Sequence, residues 1–425
     1  MIARLPYGDG FVDLEVPSSR VTVLSPRSVP GLPDEGAAFR AAVRSPVGCA
    51  PLRDVVRAAH RVAVVVPDGT RPFPSHRVLP WLLAELAHVP RQRFTVIVGG
   101  GTHRAASREE LAGLLGQEIL DTVEVAGHSA FDDADLVPTG ERAGDGTPVR
   151  MNRHYVAADR RIVLGFIEPH FFAGFSGGYK GVFPGVADIA SIRYYHRPGV
   201  IGDERSTWGV LDGNPTQAQI RSLGSRPPVD FLVNVALNRR HDVTGFFCGD
   251  VLQAHAQGCA FVREAASVPC TERFSLVITS NSGAPLDQNL YQSVKGMAAA
   301  AEIVRPGGLI VMASRCADGF PSHGSFARLL RESASPPQLL RTLCTPGSSV
   351  DDQWQAQKLA LVLRRARVAL YSELPPESVR HAHLEPVRNL GAYVAGVLAC
   401  LGPHAPVAVL PEGPMALPVL RAERA

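Results

Sequence analysis

The sequence predicts an α/β fold with two domains, each built on a mainly parallel sheet flanked by helices. Three observations support this class. Short β-branched runs alternate with helical patterns along the chain. The 425 residues exceed what one ordinary hydrophobic core supports. Hydrophobic residues make up 45% of the chain and charged residues 20%, which are the proportions of a globular protein.

Strands are predicted where β-branched and aliphatic residues cluster, at 62–66, 94–98, 161–166, 231–236, 274–279, 309–313 and 367–371. Helices are predicted at 76–88, 107–115, 251–265, 292–304 and 352–364. The second of these begins with a capping box, because Glu110 follows Ser107 by three residues. A polar segment after the helix at 251–265 marks the predicted boundary between an N-terminal domain, 1–268, and a C-terminal domain, 269–425.

Charge and hydropathy exclude several classes of function. The net charge is +3 and no basic run tracks phosphates, so we expect no nucleic-acid partner. The longest apolar stretches, 62–66 and 309–313, are too short to cross a membrane, and the first residues lack the apolar core of a signal peptide. Seven cysteines without paired spacing predict reduced, mostly buried thiols. We therefore expect a cytoplasmic protein without a membrane partner.

Lysine is rare in this chain, with three residues against 40 arginines. Lysine differs from arginine because it can lose its proton and become a nucleophile. Lys180 and Lys295 lie in the two most distinctive stretches, 170–185 and 289–296, which indicates a functional site. Lys358 fits an ordinary surface position equally well.

Ligands bind beyond the carboxyl ends of the strands in parallel sheets, so the loops after strands are the places to search. Such loops are polar or rich in glycine at 68–74, 99–104, 168–185 and 280–289. Three histidines lie on or near them: His103, His170 and His196. An imidazole can exchange a proton near neutral pH or bind a transition metal. The histidine spacing fits no compact zinc motif, although a zinc site made by all three stays open.

The motifs taken together resemble the lactate racemase family, whose members carry a nickel-pincer nucleotide. In family order they are Asp68-x-Thr-Arg-Pro, Gly101-Thr-His-Arg, the run from 169 to 185, Asp212-Gly-Asn-Pro, Tyr291-Gln-x-x-Lys-Gly and Asp352-Gln-Trp-Gln-x-Gln. They extend from about residue 63 to residue 367. The resemblance implies a racemase or epimerase of a small 2-hydroxy acid, together with separate proteins that synthesise its cofactor.

The resemblance also implies a role for individual residues. Lys180 is expected to attach the cofactor, pyridinium-3,5-bisthiocarboxylic acid mononucleotide, and His196 to bind its nickel. His103 and His170 resemble the acid/base pair. The residues expected to hold the substrate are Arg71, Lys295, Tyr291 and Gln292. The residues expected to bind the cofactor beside Lys180 are Asp68, Thr70, Ser176, Gly177 and Gly178.

These candidates come from both predicted domains, so we expect the site in the cleft between them. The hydroxyl-bearing carbon of a 2-hydroxy acid is too weakly acidic for simple proton removal. Hydride transfer through a 2-oxo acid, with two histidines as acid and base, avoids this difficulty. Two alternatives stay open: a zinc-dependent hydrolase that uses His103, His170 and His196, and a non-catalytic cofactor-binding protein on the same fold.

Overall fold

A computed structural model of the chain describes residues 1–17, 21–321, 324–345, 347 and 349–420. Its strands, in chain order, are β1 (Ile2–Tyr7), β2 (Gly10–Glu15), β3 (Val21–Val23), β4 (Val62–Pro67), β5 (Phe94–Gly99), β6 (Glu124–Ala126), β7 (Leu136–Arg142), β8 (Pro148–Asn152), β9 (Arg160–Phe166), β10 (Pro169–His170), β11 (Gly174–Phe175), β12 (Phe231–Leu237), β13 (Val243–Gly249), β14 (Ser267–Cys270), β15 (Phe274–Ser280), β16 (Val304–Ala313), β17 (Arg367–Tyr371), β18 (Glu385–Val387), β19 (Val407–Leu410) and β20 (Leu417–Leu420).

The α-helices of the same residues are α1 (Glu35–Arg44), α2 (Leu52–Val55), α3 (Ser75–Glu85), α4 (Arg108–Leu115), α5 (Gln117–Thr122), α6 (Arg153–Ala157), α7 (Ile189–Tyr195), α8 (Pro198–Ile201), α9 (Pro215–Gly224), α10 (Val251–Ala266), α11 (Leu290–Ala301), α12 (Phe326–Glu332), α13 (Pro336–Leu343), α14 (Gln353–Arg365), α15 (Pro376–His381) and α16 (Leu390–Leu401). Each strand and helix predicted from the sequence is present. The largest difference is β16, which begins five residues before the predicted start at 309.

Two six-stranded sheets organise the molecule. The first has the order β13-β12-β9-β4-β5-β6, in which only β13 runs antiparallel to its neighbour. The second has the order β18-β17-β16-β15-β19-β3 and is parallel throughout. The central strands are buried on both faces, which is why they are nearly continuous runs of valine, isoleucine and leucine. The predicted α/β class with mainly parallel sheets is confirmed.

The first residues of the chain belong to the second sheet. Strand β3 pairs in parallel with β19, and the β1–β2 hairpin packs on the same sheet. Leu5 and Leu14 are buried there in one cluster with Leu276 and Ile278. The chain then crosses to form the first sheet and returns through β14. A single boundary at 268/269 would assign β1–β3 to the N-terminal domain, although they pack with the second sheet. That boundary stays a prediction.

Two smaller expectations concern caps and thiols. Ser107 accepts a hydrogen bond from the Glu110 amide at 3.2 Å, and the Glu110 carboxylate accepts one from the Ser107 amide at 2.8 Å, so the capping box is confirmed. All seven cysteines are free; four are buried, Cys49 is partly buried, and Cys344 and Cys400 are exposed. Among the described residues, every helix falls short of the length and apolarity needed to span a bilayer.

Candidate active site

A cavity of about 210 Å³ lies between the two sheets, at the carboxyl ends of β4, β5 and β9 and against α11 and α14. Most of the predicted site residues line it: Asp68, Arg71, His103, His170, Ser176, Gly177, Lys180, His196, Tyr291, Gln292 and Lys295. Thr70 and Gly178 lie outside its wall. The cavity is therefore where the post-strand loops of the first sheet meet helices packed on the second, as the sequence predicted.

His103 is paired with Asp68 at the mouth of the cavity. The His103 Nδ1 lies 2.6 Å from Asp68 Oδ2, while Asp68 Oδ1 accepts a hydrogen bond from the Thr70 hydroxyl at 2.7 Å. Burial acts to raise the pKa of Asp68, but the hydrogen bond and charge of His103 bring it below its usual value. Asp68 is thus a carboxylate that accepts a hydrogen bond from the Nδ1–H of His103, which leaves the lone pair on Nε2. Thr70, predicted to bind the cofactor, holds Asp68.

His170 has the opposite tautomer. Its Nδ1 accepts a hydrogen bond from the Ala173 amide at 3.2 Å, so the proton of the neutral ring lies on Nε2. Burial, followed by the charges of Lys180 and Lys295, lowers the pKa of His170 well below its usual value. The ring is therefore neutral near pH 7, and its Nε2–H is a donor. The two histidines present one acceptor and one donor.

His196 follows α7 and is 5% exposed. Its Nδ1 donates to the Ile192 carbonyl at 3.0 Å, which puts the lone pair on Nε2. Burial and the charge of Lys180 hold the pKa of His196 well below its usual range. The Trp354 ring stacks on the imidazole at 3.9 Å between centroids and 17° between planes. A neutral imidazole with an oriented Nε2 lone pair has the form in which histidine can bind a metal.

Lys180 lies in the 3₁₀ turn Gly178–Gly181. Gly177 and Gly178 precede it with φ of +82° and +56°, and a Cβ at either position would come within 3 Å of Asn234 or His255. The two glycines therefore admit close protein packing behind the lysine, while Gly177 also lines the cavity. Burial, with the charges of Arg71 and Lys295, lowers the pKa of Lys180 to about 7. A substantial fraction of this amine is unprotonated at neutral pH.

The residues from the second sheet's side complete the cavity. Burial and Arg71 lower the pKa of Lys295 to about 8. The Tyr291 hydroxyl donates to Asp352 at 3.2 Å and accepts from the Trp354 indole at 3.1 Å, and burial raises its pKa well above the usual value. The Gln292 Oε1 atom is buried without a hydrogen-bond partner in the part of the chain that the structure describes.

Ser176 and three residues outside the predicted set also shape the cavity. The Ser176 hydroxyl donates to the Phe166 carbonyl at 3.0 Å and accepts from the Glu168 amide at 2.9 Å, so it fixes the loop. Glu168, Phe172 and Trp354 line the cavity but were not predicted as site residues. Each lies inside or beside one of the family motifs, so its position in a motif could have indicated a place in the site. Their roles depend on packing that the sequence does not display.

Lys358 lies outside the cavity wall but is not a surface residue. It is 9% exposed, and its Nζ donates to the Ser206 carbonyl at 2.8 Å. The ordinary surface interpretation of this lysine is therefore wrong. Burial lowers its pKa to about 8, while Glu302 acts in the opposite direction.

The three histidines do not form a zinc triad. Across the described ranges, no group of three histidine, cysteine or acidic side chains is arranged to hold a metal ion. His170 and His196 each contact the edge of the Phe172 ring, at 4.4 and 5.5 Å between centroids. A three-histidine zinc hydrolase is therefore not supported by the arrangement.

The α/β fold and a cavity between its two sheets are those of an enzyme that acts on a small molecule. A family model described as the lactate racemase N-terminal domain matches residues 7–209, and one described as the C-terminal domain matches residues 271–417. The chain belongs to the lactate racemase family. This class of enzyme is an isomerase.

Individual relatives agree with this assignment. A lactate racemase from Lactiplantibacillus plantarum is 35% identical over 373 residues, 87% of each chain. One from Thermoanaerobacterium thermosaccharolyticum is 31% identical over 419 residues, 96% of this chain and 97% of the relative. The structure of the lactate racemase apoprotein from the latter organism matches with a TM-score of 0.91 and 29% identity, covering 99% of this chain and 100% of that one. A Thermotoga maritima protein, 18% identical with a TM-score of 0.70, shares the fold alone.

Proposed function

We propose that this chain racemises or epimerises a small 2-hydroxy acid through a 2-oxo acid intermediate, using a nickel-pincer nucleotide. The observation that carries the proposal is the convergence, in one cavity, of two histidines with opposite tautomers, two cations, and the pair formed by Lys180 and His196. Lactate, the substrate in the names of the relatives, is the first compound to assay.

The residues present fit this cofactor. His196 would hold nickel through Nε2, because its Nδ1 proton is engaged by Ile192. Lys180 would hold the nucleotide through its amine, whose pKa of about 7 favours the nucleophilic form. When bound, the cofactor supplies an acceptor and donor of hydride at this site. Separate synthesis proteins would provide it.

Arg71 and Lys295 are the proposed anchors of the substrate. Arginine presents parallel N–H donors that match a carboxylate, whereas lysine provides a compact charge for the hydroxyl or oxo oxygen. Both line the cavity. Fixed positive charge in a dry cavity stabilises the negative charge that develops on the substrate oxygen.

His103 and His170 are the proposed base and acid. His103 can accept the hydroxyl proton at Nε2, and Asp68 then stabilises the imidazolium. His170 can donate a hydrogen bond from Nε2–H to the oxygen of the intermediate when that oxygen has turned towards the other face, and the proton held by the His103 imidazolium returns to that oxygen, so that both rings end neutral. Inversion at one carbon requires groups that serve both faces, and these two histidines come from separate loops. A non-catalytic cofactor-binding protein would not require the Asp68–His103 pair.

Apolar rings exclude water from the reaction. Phe171 and Phe172 are each 4% exposed, and Trp354 is 6% exposed. They enclose the side of the cavity near His170 and His196. Exclusion of water strengthens the charge interactions of Arg71 and Lys295 and retains the reactive oxo acid.

Nickel content tests this division of roles. Protein would be produced together with the cofactor-synthesis system, and its nickel and lactate racemisation measured. His196→Ala should lose nickel and activity together, whereas His103→Ala should keep nickel and lose about 10²- to 10⁴-fold of activity. Full nickel retention by the His196→Ala protein would contradict the proposal.

A further inference from the structure

Glu168 is a carboxylate in the cavity wall to which the proposed reaction gives no role. Its position is fixed by the main chain after β9. The Ser176 amide donates to the Glu168 carbonyl at 3.0 Å, and the Glu168 amide donates to the Ser176 hydroxyl at 2.9 Å. These two bonds hold the backbone of Glu168, so its side chain extends from a fixed point in the cavity wall.

Three cations from three different segments act on this carboxylate. Burial raises the pKa of Glu168, and the charges that oppose this rise are, in order of effect, Lys295 from α11, Arg71 from the loop after β4, and Lys180 from the 3₁₀ turn. Within the described part of the chain, no ion pair of 4.0 Å or less joins Glu168 to any of them. The charges therefore share one cavity without closing on each other, and the cations stay available to an anionic ligand.

Three cations and two carboxylates, Asp68 and Glu168, line the cavity, and Asp68 is already engaged by His103 and Thr70. Burial, followed by the like charges of the neighbouring cations, favours loss of a proton from Lys180 and Lys295. Lys295 is acted on by Arg71, which favours the neutral amine, and by Glu168, which favours the ammonium. A third acid, Asp352 before α14, lies outside the cavity wall and accepts a hydrogen bond from Tyr291, on the same helix as Lys295.

We propose that Glu168 is a positioning residue that serves as the internal counter-ion of the substrate site and keeps Lys295 protonated until a substrate carboxylate arrives. This inference deepens the proposed function and rests on the substrate roles given there to Arg71 and Lys295. Glu168 balances the cations while the cavity is empty of substrate. The entering carboxylate then adds a further negative charge to a site in which Lys295 is already protonated and, among the described residues, no close ion pair with Glu168 has to be broken.

The protonation of Lys295 can be measured without any assay of racemisation. The chain has only three lysines, so trace labelling with acetic anhydride and peptide mass spectrometry reads Lys295 separately. Only the neutral amine reacts, and the N-terminal amine serves as an internal reference. Glu168→Gln should increase the labelling rate of Lys295 at pH 7 by about 3- to 10-fold, because the neutral fraction rises when the nearby anion is removed.

Controls separate charge from general damage to the fold. Glu168→Asp keeps the charge and should label like the wild type. Glu264→Gln removes an exposed acid paired with Arg27 and should also leave the rate unchanged. If Glu168→Gln does not fold by circular dichroism, Glu168→Ala gives the same comparison. A Lys295 labelling rate in the uncharged variant equal to or below that of the wild type overturns the inference.

Activity gives a second measurement that distinguishes the two proposals. With lactate as substrate, Glu168→Gln should raise KM more than it lowers kcat, and the fall in activity at alkaline pH should begin at a lower pH. A labelling change in a chain that racemises no 2-hydroxy acid would contradict the proposed function but leave the counter-ion role standing. Racemisation with unchanged Lys295 labelling and an unchanged pH profile would support the proposed function and overturn the counter-ion role of Glu168.

Discussion

Neighbouring groups, rather than the histidines themselves, decide how His103 and His170 differ. Asp68 accepts a hydrogen bond from the Nδ1–H of His103, whereas the Ala173 amide donates to Nδ1 of His170. The sequence identified both histidines because each follows a strand of the first sheet. It could not give their tautomers, since those depend on atoms brought together by folding. Glu168 was missed for the same reason: its importance comes from cations that are distant in sequence.

Replacement of Asp68 tests whether this carboxylate sets the tautomer of His103. Asp68→Asn keeps the size of the side chain but removes the charge and can impose the wrong tautomer on the imidazole. We expect kcat to fall by about 10²- to 10⁴-fold with little change in bound nickel. Thr70→Val, which removes one hydrogen bond to Asp68, is the matched control and should have a much smaller effect. Equal losses in the two variants would contradict the assigned role of Asp68.

The acidity of Lys180 predicts a pH dependence. Its pKa is lowered to about 7, so the amine is protonated and unreactive below that pH and becomes nucleophilic above it. The rate at which intact-protein mass spectrometry detects covalent cofactor should therefore rise between pH 6 and pH 8, with its midpoint near 7. Lys180→Arg should show no added mass. A rate that does not change over this range would exclude the neutral amine as the attaching group.

At the scale of elements, α14 links the two halves of the site. Trp354 stacks on His196, the Gln357 side chain donates to the Pro198 carbonyl at 2.8 Å, and Lys358 donates to the Ser206 carbonyl. Residues 354, 357 and 358 lie on one face because they are three and four positions apart. The helix was predicted correctly from its apolar spacing, with each end one residue later than expected. Which segment that face contacts was not visible in the sequence.

Loss of the Trp354 ring should weaken the metal site. Trp354→Ala removes the surface that holds His196 in its orientation, and we expect nickel affinity to fall about 10- to 100-fold, the range for outer-shell partners of metal ligands. Trp354→Phe keeps a stacking ring but loses the indole N–H to Tyr291, so it should retain most of the nickel. Nickel binding by Trp354→Ala equal to that of the wild type would show that the stack does not orient His196.

At the scale of the whole molecule, the first strands of the chain pack with the second sheet rather than with the first. Long buried strands such as β4 and β15 were predicted because both faces are apolar. Short strands such as β3 were missed, since three residues give too little pattern and their pairing with β19 spans almost the whole chain. The position of the site was nevertheless predictable, because parallel strands place their following loops at one edge.

The proposed reaction moves a proton at the substrate oxygen while the hydrogen at carbon moves as hydride, in a cavity between the two sheets. The direct measurement uses a 2-hydroxy acid deuterated at the hydroxyl-bearing carbon, first lactate, with holoprotein in ordinary water. Chiral chromatography with mass spectrometry follows both enantiomers. We predict a primary isotope effect and retention of deuterium in the inverted product. Rapid loss of that deuterium to solvent would show direct proton abstraction at carbon and would contradict the account.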